Sequence, residues 1–440
     1  MQPGWDVRTV REILSRPVMG VLERSPYWLA PYMFPLKATL VPAARNRPKV
    51  VLFKNQALRG LTSSDVLRSL PEDFFYTLRY DIGMEMHEYK LLAPYTTFRI
   101  GGLARYFFVI EDQKELQEAF AFITEHKLPW LVLGGGSNVL VSDNGFNGAV
   151  LKINIRGIDS VAHEKEVIVR IGAGEVLDSV IEQTVANNLC GLENLSAVPG
   201  LCGGLAIQNV GAYGVQVGDS IEAVEVFDTQ TQSFRILTML ACHFGYRSSV
   251  FNTHERGRYI VTAVHIRLHQ GGILIIAYPD LEKYFVEHGG EPTAHNVRAA
   301  VMEIRNRKLP NPALIGNAGS FFKNIIVTES VFQNVLVNAK KQWGQEWAQR
   351  IAEFGRRFTT SAGIKLPTAM FVEALGYKGM CHGGAQVHPN HALILTNPVG
   401  KATARNVIEL AQHIRDDIQR TLDIKIQFEP ELIGFDALTK

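Results

Sequence analysis

The chain has 440 residues, a formal net charge of +2, 46% hydrophobic and 20% charged residues. That length exceeds one compact core and predicts two or three domains, and the balanced charge points to neither a nucleic-acid partner nor a membrane surface. The four cysteines (Cys190, Cys202, Cys242, Cys381) form no Cys-x-x-Cys, which argues against a disulfide framework or structural zinc and fits a reducing compartment. No apolar run reaches the roughly 18 residues that span a bilayer and no secretory signal opens the chain, so the expected location is the cytoplasm.

Residues 1–83 carry an excess of Lys and Arg, and the composition changes near residue 84. Val10, Ile13 and Leu14 fit one face of a short helix, while Pro26, Pro31, Pro35, Pro42 and Pro48 break the segment against long regular elements. No motif with a mechanism lies here. Residues 1–87 are read as an accessory extension or as the product of a start site placed upstream of Met84 or Met86.

From Glu88 the pattern is regular. Arg105–Ile110 is rich in aromatic and β-branched residues and predicts a strand. Asp112 caps a helix with Leu116, Phe120 and Ile123 at helical spacing. A strand over Leu128–Leu133 runs into Gly134-Gly135-Gly136-Ser137-Asn138, followed by Val139–Val141. Three glycines after a strand present backbone N–H groups suited to a pyrophosphate, but the loop is not Gly-x-Gly-x-x-Gly and no long helix follows, which speaks against a standard dinucleotide site.

Glu166–Ile171 predicts a further strand, and Asp178 opens a helix through Val180, Ile181 and Val185. Residues 191–214 hold many glycines within an apolar, nearly uncharged stretch. Such a stretch suits main chain wrapped around a planar ligand. Strands are expected at 221–227 and 258–268, with His265 packed rather than catalytic. Phe244–Ser249 is an aromatic turn carrying Arg247, and Ala277–Leu281 an exposed turn carrying Tyr278. A helix over 295–307 leads to Lys308 and then to Asn311–Asn324, where Gly316-Asn-Ala-Gly319 is read as a tight turn aiming Ser320. Residues 325–400 read as a mixed region around a helix at 367–375. Ala402–Leu422 is an amphipathic helix with Val407, Leu410, Ala411, Ile414 and Ile418 on one face. A last strand over Ile424–Phe428 delivers Glu429-Pro430-Glu431. His382, His388 and His391 lack the spacing of a metal site, and no metal is expected.

Nine segments occur in a fixed order: Thr97-Phe-Arg-Ile-Gly, Leu133-Gly-Gly-Gly-Ser-Asn-Val-Leu, Gly191-Leu-Glu-Asn-Leu, Val198-Pro-Gly, Ile207-Gln-Asn-Val-Gly-Ala-Tyr-Gly, Phe244-Gly-Tyr-Arg-Ser-Ser, Gly316-Asn-Ala-Gly-Ser-Phe-Phe-Lys-Asn, Gly383-Gly-Ala-Gln-Val-His and Phe428-Glu-Pro-Glu. Through them residues 88–435 resemble the bacterial UDP-N-acetylenolpyruvoylglucosamine reductases of peptidoglycan precursor synthesis. The resemblance implies an α+β fold: two FAD-binding subdomains of the vanillyl-alcohol-oxidase (PCMH) type, over 88–157 and over 158–309 with 424–440, and a C-terminal α+β substrate-binding domain over 310–423. It implies non-covalent FAD, NADPH as co-substrate, a nucleotide-sugar substrate and a monomer. By resemblance Ser320 is the proton donor, and Arg247 and Glu431 stabilise charge on the substrate carboxylate. Tyr278, Lys308 and Asn324 contact the substrate. Gly134, Gly135, Gly136, Ser137, Asn138, Gly172, Gly200, Gln208, Asn209, Gly211, Ala212 and Tyr213 contact the flavin. Departures are Ile325 where many relatives have proline, and Ala374, beside Glu373, near where some carry a substrate-binding glutamine. A flavin oxidase on the same fold often uses a flavin-linking histidine near the glycine loop, and no histidine lies between 127 and 162. A flavin-binding protein without chemistry has no reason to keep the serine, arginine and glutamate together.

Overall fold

The structure is a computed structural model that describes residues 38–43, 47–52 and 84–435. The chain divides into two compact units, Met1–Leu70 and Pro71–Lys440. In the first, strands Ala38–Ala43 and Arg47–Leu52 form an antiparallel hairpin in which Pro42 pairs with Pro48. The prolines thus allow short strands. The helical face assigned to Val10, Ile13 and Leu14 lies outside the described residues.

The second unit begins with a four-stranded sheet in the order Met86–Leu91, Leu103–Ile110, Phe146–Ile153, Trp130–Leu133. The first pair is antiparallel and the others are parallel. The predicted helix connects them as Gln113–Glu125, its N-cap Asp112 accepting from the Glu115 N–H at 2.8 Å. Leu116, Ala119, Phe120 and Ile123 face inward, as the spacing requires.

A second sheet is antiparallel throughout: Ser233–Thr238, Ile221–Asp228, Tyr259–Gln270, Glu166–Gly172, Ile158–His163. Val167, Val169 and Ile171 alternate inward, the period-two signature of a strand with one buried face. The two sheets share one hydrophobic core, in which Phe120 meets Phe227 edge-on at 5.4 Å. The seam where they meet is tight. A Cβ at Gly172 would fall 2.5 Å from the Ile155 carbonyl, and one at Gly174 2.5 Å from the Asn154 carbonyl carbon. Helix Leu177–Ala186 starts without a side-chain cap. Asp178 instead accepts from the Ala197 N–H at 2.6 Å and pairs with Arg298 on helix Ala294–Lys308.

The C-terminal part builds its own core around a sheet ordered Gly316–Ser320, Ile394–Asn397, Ala385–Val387, Cys381–His382. Helix Ala404–Leu422 covers it with Val407, Leu410, Ala411, Ile414 and Ile418 buried, and Thr403 and Asn406 form a capping box at its start. Each of the buried Val, Leu and Ile side chains contributes roughly 1.5–3 kcal/mol. Helices Glu329–Trp343 and Gln345–Arg357 also pack here, within the region the sequence left as mixed.

Two expectations change. Gly316–Ser320 is a strand rather than a tight turn, with a bulge between Asn317 and Ser320 against Ile394–Thr396. Its glycine at 316 lets the backbone lie against residue 98, since a Cβ there would sit 2.5 Å from the Phe98 carbonyl. The last strand is Glu431–Ile433, and it pairs in parallel with Val139–Val141 of the first subdomain. Of the segment 424–440 expected in the second subdomain, Ile424 and Ile426 enter the C-terminal core and Ile433 the core of the first sheet.

Candidate active site

The glycine loop is held on three sides. Gly136 has φ +63°, and a Cβ on it would lie 2.1 Å from the Tyr95 carbonyl. Gly135 rests against Gly200, where an added Cβ would stand 2.9 Å from the Gly200 Cα. Asn138 Nδ2 donates to the Glu429 carbonyl at 3.1 Å, and the Glu431 N–H donates to the Asn138 carbonyl at 2.9 Å. The remaining side is open: a Cβ on Gly134 would meet nothing within 4 Å. The N–H groups of Gly135, Gly136 and Ser137 have no backbone acceptor among the described residues. Backbone donors without a backbone acceptor, on a glycine loop with open space at Gly134, fit the diphosphate of a dinucleotide such as FAD. Gly200 closes the seam, with Ser137 Oγ 2.9 Å from where its Cβ would be.

The 207–214 segment forms the next wall. Gln208 ends the short helix Gly203–Ile207. Buried Asn209 adopts φ +44°, donates to the Gly245 carbonyl at 2.9 Å and accepts from the Gly218 N–H at 2.8 Å. It ties the segment to the turn that carries Arg247. Gly211 and Ala212 pair with Gln216 and Val215 in a two-residue ladder.

Arg247 has φ +53°, an arrangement that persists only when its surroundings enforce it. Its Nη2 donates to the Gly211 carbonyl at 3.0 Å and its Nε to Glu429 Oε1 at 2.9 Å. The carboxylate beside Arg247 is therefore that of Glu429. Glu431 is half-exposed and pairs with Arg256, two residues beyond the carboxylate that meets Arg247. The reason is the register. The Glu429 N–H donates to the Phe321 carbonyl at 2.9 Å, and Phe322 bridges Phe428, which sets Glu429 opposite the residue after Ser320. Two residues on, about 6–7 Å further along an extended chain, Glu431 has left that pairing for Val139.

Around this pair stand Tyr246, Lys365, Lys323 and Asn324. Lys365 Nζ lies 4.4 Å from the Tyr246 ring centre. Burial lowers the Lys365 pKa, and the nearby Arg247 lowers it further. Burial raises the Glu429 carboxyl above its ordinary value, against the opposing pull of Arg247, Lys323 and Lys365. Asn324 accepts from the Thr368 N–H at 3.0 Å and faces the Tyr246 hydroxyl. Ser320 is half-buried at the end of its strand, paired with Ile394. A guanidinium beside a carboxyl with a raised pKa can bind a carboxylate and stabilise charge on it, and a serine hydroxyl on the adjoining strand is a proton source.

Tyr278 and Lys308 form a second group. Tyr278 is the N-cap of helix Pro279–His288 rather than the tip of an exposed turn, and its ring meets Tyr213 edge-on at 5.3 Å. Lys308 Nζ lies 2.5 Å from Asp280, two residues along. Buried Asn194 donates to the carbonyls of Tyr213 and Ile275, both at 2.8 Å. Gly211 touches the first group and Tyr213 the second, so one short segment joins them.

Sequence reasoning missed Glu429, Lys365 and Tyr246. Glu429 was visible as the first glutamate of Glu-Pro-Glu, but nothing in the spacing separates it from Glu431. Lys365 carries no local signal. His265 sits at 2.9 Å from Glu225, which also takes Arg170, consistent with a packed histidine. His382 meets Glu409 at 2.9 Å. Burial, with the cations of His388, Lys308 and Lys378 adding to it, lowers the His391 pKa to about 4, and its Nδ1 has no partner. Among the described residues no group of His, Cys, Asp or Glu could hold a metal, and no helix is long and apolar enough to cross a membrane.

Comparison with known proteins agrees with this architecture. The FAD binding domain family matches residues 104–235, and the family of the UDP-N-acetylenolpyruvoylglucosamine reductase C-terminal domain matches 311–433. The chain is 36% identical over 342 residues to the UDP-N-acetylenolpyruvoylglucosamine reductase of Neisseria meningitidis serogroup B, covering 77% of this chain and 95% of that one. It is 33% identical over 348 residues to the same-named protein of a Shewanella species, covering 79% and 97%. The crystal structure of the Thermus caldophilus reductase (MurB) superposes with a TM-score of 0.56 at 24% identity, over 80% of this chain and 99% of that one, and shows the same fold. With an FAD binding domain, the matching C-terminal domain and relatives aligned over nearly their whole length, the chain belongs to the UDP-N-acetylenolpyruvoylglucosamine reductase family.

Proposed function

We propose that this protein reduces the enolpyruvyl ether of UDP-N-acetylglucosamine to UDP-N-acetylmuramate, using FAD and NADPH, in peptidoglycan precursor synthesis. The observation that carries the reading is the Arg247–Glu429 pair, set next to Ser320 by the 321–323 and 427–429 pairing and walled by Gly211. When bound, FAD supplies the hydride, taken from NADPH and delivered from N5 to C3 of the enolpyruvyl group. Arg247 holds the substrate carboxylate, on which negative charge grows as C3 is reduced. Glu429, kept protonated to higher pH than a free glutamic acid, donates a hydrogen bond to that charge. Glu429 takes the part that the resemblance gave to Glu431. Ser320 delivers the proton to C2. A serine hydroxyl is a weak acid, so its proton must be replenished by neighbours.

Gly134 to Asn138, with Gly172, Gly200 and residues 208–213, hold the flavin in this reading. Tyr278 and Lys308 take the nucleotide diphosphate, and Asn324 the sugar side. The domain boundaries proposed are 88–157, 158–309 and 310–423, with 431–433 returning to the first. The test is direct. Purified protein is yellow with FAD released by denaturation, and oxidises NADPH when the enolpyruvyl nucleotide sugar is added. NADPH oxidation that ignores this substrate overturns the proposal.

A further inference from the structure

Lys152 lies on the Phe146–Ile153 strand as the register partner of Leu133, the residue that leads into the glycine loop. Its ammonium donates to the Gly134 carbonyl. An ammonium has three donors, and this bond uses one. The side chain is half-buried, and no carboxylate among the described residues lies within ion-pair distance of it. The charge that acts on it is Arg156, a like charge, which is itself turned to Glu175 at 3.3 Å. Burial first and Arg156 second lower the Lys152 pKa to about 8. A cation kept in such a place lacks a counter-charge. Beside it are the open space at Gly134 and the unspent N–H groups of Gly135, Gly136 and Ser137.

We infer that Lys152 is a flavin-diphosphate residue: it draws the Gly134 carbonyl away from the crevice, so that the loop N–H groups face it, and gives its remaining donors to a diphosphate oxygen of FAD. The inference rests on the FAD reading. It adds a side-chain cation to a loop that the sequence presents as a backbone-only cradle. It also couples binding to a proton. Below about pH 7 Lys152 is already charged in the free protein, so affinity is flat. Above about pH 8 the free protein must take up a proton to bind, so affinity falls as pH rises. The charged groups that bear on Lys152 are Arg156 and, paired with it, Glu175.

The test uses the full chain stripped of flavin and titrated with FAD or riboflavin, following flavin fluorescence from pH 6.5 to 9.5. Losing a charge-assisted contact predicts roughly ten- to a hundredfold weaker FAD binding for Lys152→Met at pH 7, with riboflavin, which has no phosphate, little changed. Wild-type FAD affinity weakens above pH 8 with a slope approaching tenfold per unit, and Lys152→Met removes that slope. Lys152→Arg keeps tight binding without the slope, and serves if the Met variant does not fold. Equal losses for FAD and riboflavin make Lys152 structural and overturn the inference, as does unchanged FAD affinity. A wild-type chain that binds riboflavin and FAD equally well, or binds neither, refutes the FAD-diphosphate reading itself.

Discussion

Glu429 and Glu431 lie two residues apart in one motif, and the structure gives them opposite fates. Consider Glu429→Gln and Glu431→Gln in parallel. Glu429 sits 2.9 Å from Arg247, in a pair whose side chains are 15% and 23% exposed. Glutamine keeps the volume but removes the ionisable proton. Removing one preorganised group from a site of developing charge costs about 2.7–4 kcal/mol, or 10²–10³ in kcat. Glu431 is 49% exposed and its partner Arg256 59%. An exposed pair of that kind contributes about 0.2–1 kcal/mol, so Glu431→Gln should lower turnover by no more than about fivefold. Stopped-flow absorbance of the flavin separates the half-reactions. Reduction by NADPH should run at the wild-type rate in both variants, and reoxidation by the enolpyruvyl substrate should slow only in Glu429→Gln. Thermal melts check that both are folded. A hundredfold loss in Glu431→Gln, with Glu429→Gln near wild type, would refute the assignment and the register argument beneath it.

Ser320→Ala should leave flavin reduction intact and slow the second half-reaction by about 10²–10⁴; equal loss in both halves would make the serine structural. The second half-reaction should also depend on pH with a definite sign. Because the Glu429 pKa is raised, the step is fastest below that pKa and falls as pH rises through it, and the Gln variant should lack this limb in single-turnover measurements. Gly136→Ala forces a Cβ to 2.1 Å from the Tyr95 carbonyl at φ +63°. It should destabilise the fold by about 1–3 kcal/mol in denaturant titration and weaken FAD retention in gel filtration.

Elements written in local spacing were legible. Asp112 with Leu116, Phe120 and Ile123, and the long face from Val407 to Ile418, read as the helices they are. Gln345–Arg357 was not read, although Ala348, Ile351, Ala352 and Gly355 recur at helical spacing on its buried face. Gly316–Ser320 has poor strand propensity and is a strand because the buried residues Ile394–Asn397 pair with it. The site shows the same divide. Arg247, Asn209 and Tyr213 stand in motif segments, where close backbone packing leaves glycine and asparagine signatures. The pairing of Glu429 with Phe321 joins residues about a hundred positions apart, which no local window contains.

The parallel pairing of Glu431–Ile433 with Val139–Val141 also has a consequence for the order of assembly. Asn138 is fastened by the Glu429 carbonyl and the Glu431 N–H, and Arg247 is oriented by the Glu429 carboxylate. During synthesis the glycine loop and Arg247 emerge long before their fasteners. A nascent chain can form the central antiparallel sheet once Gln270 has emerged, but closing the 139–433 contact spans far more of the chain and is a late, long-range event. Fastening of the glycine loop and formation of the Arg247–Glu429 pair are thereby tied to the same final closure. A ribosome-stalled chain ending before Phe428 should hold FAD poorly, whereas release of the last strand should bring retention and turnover together.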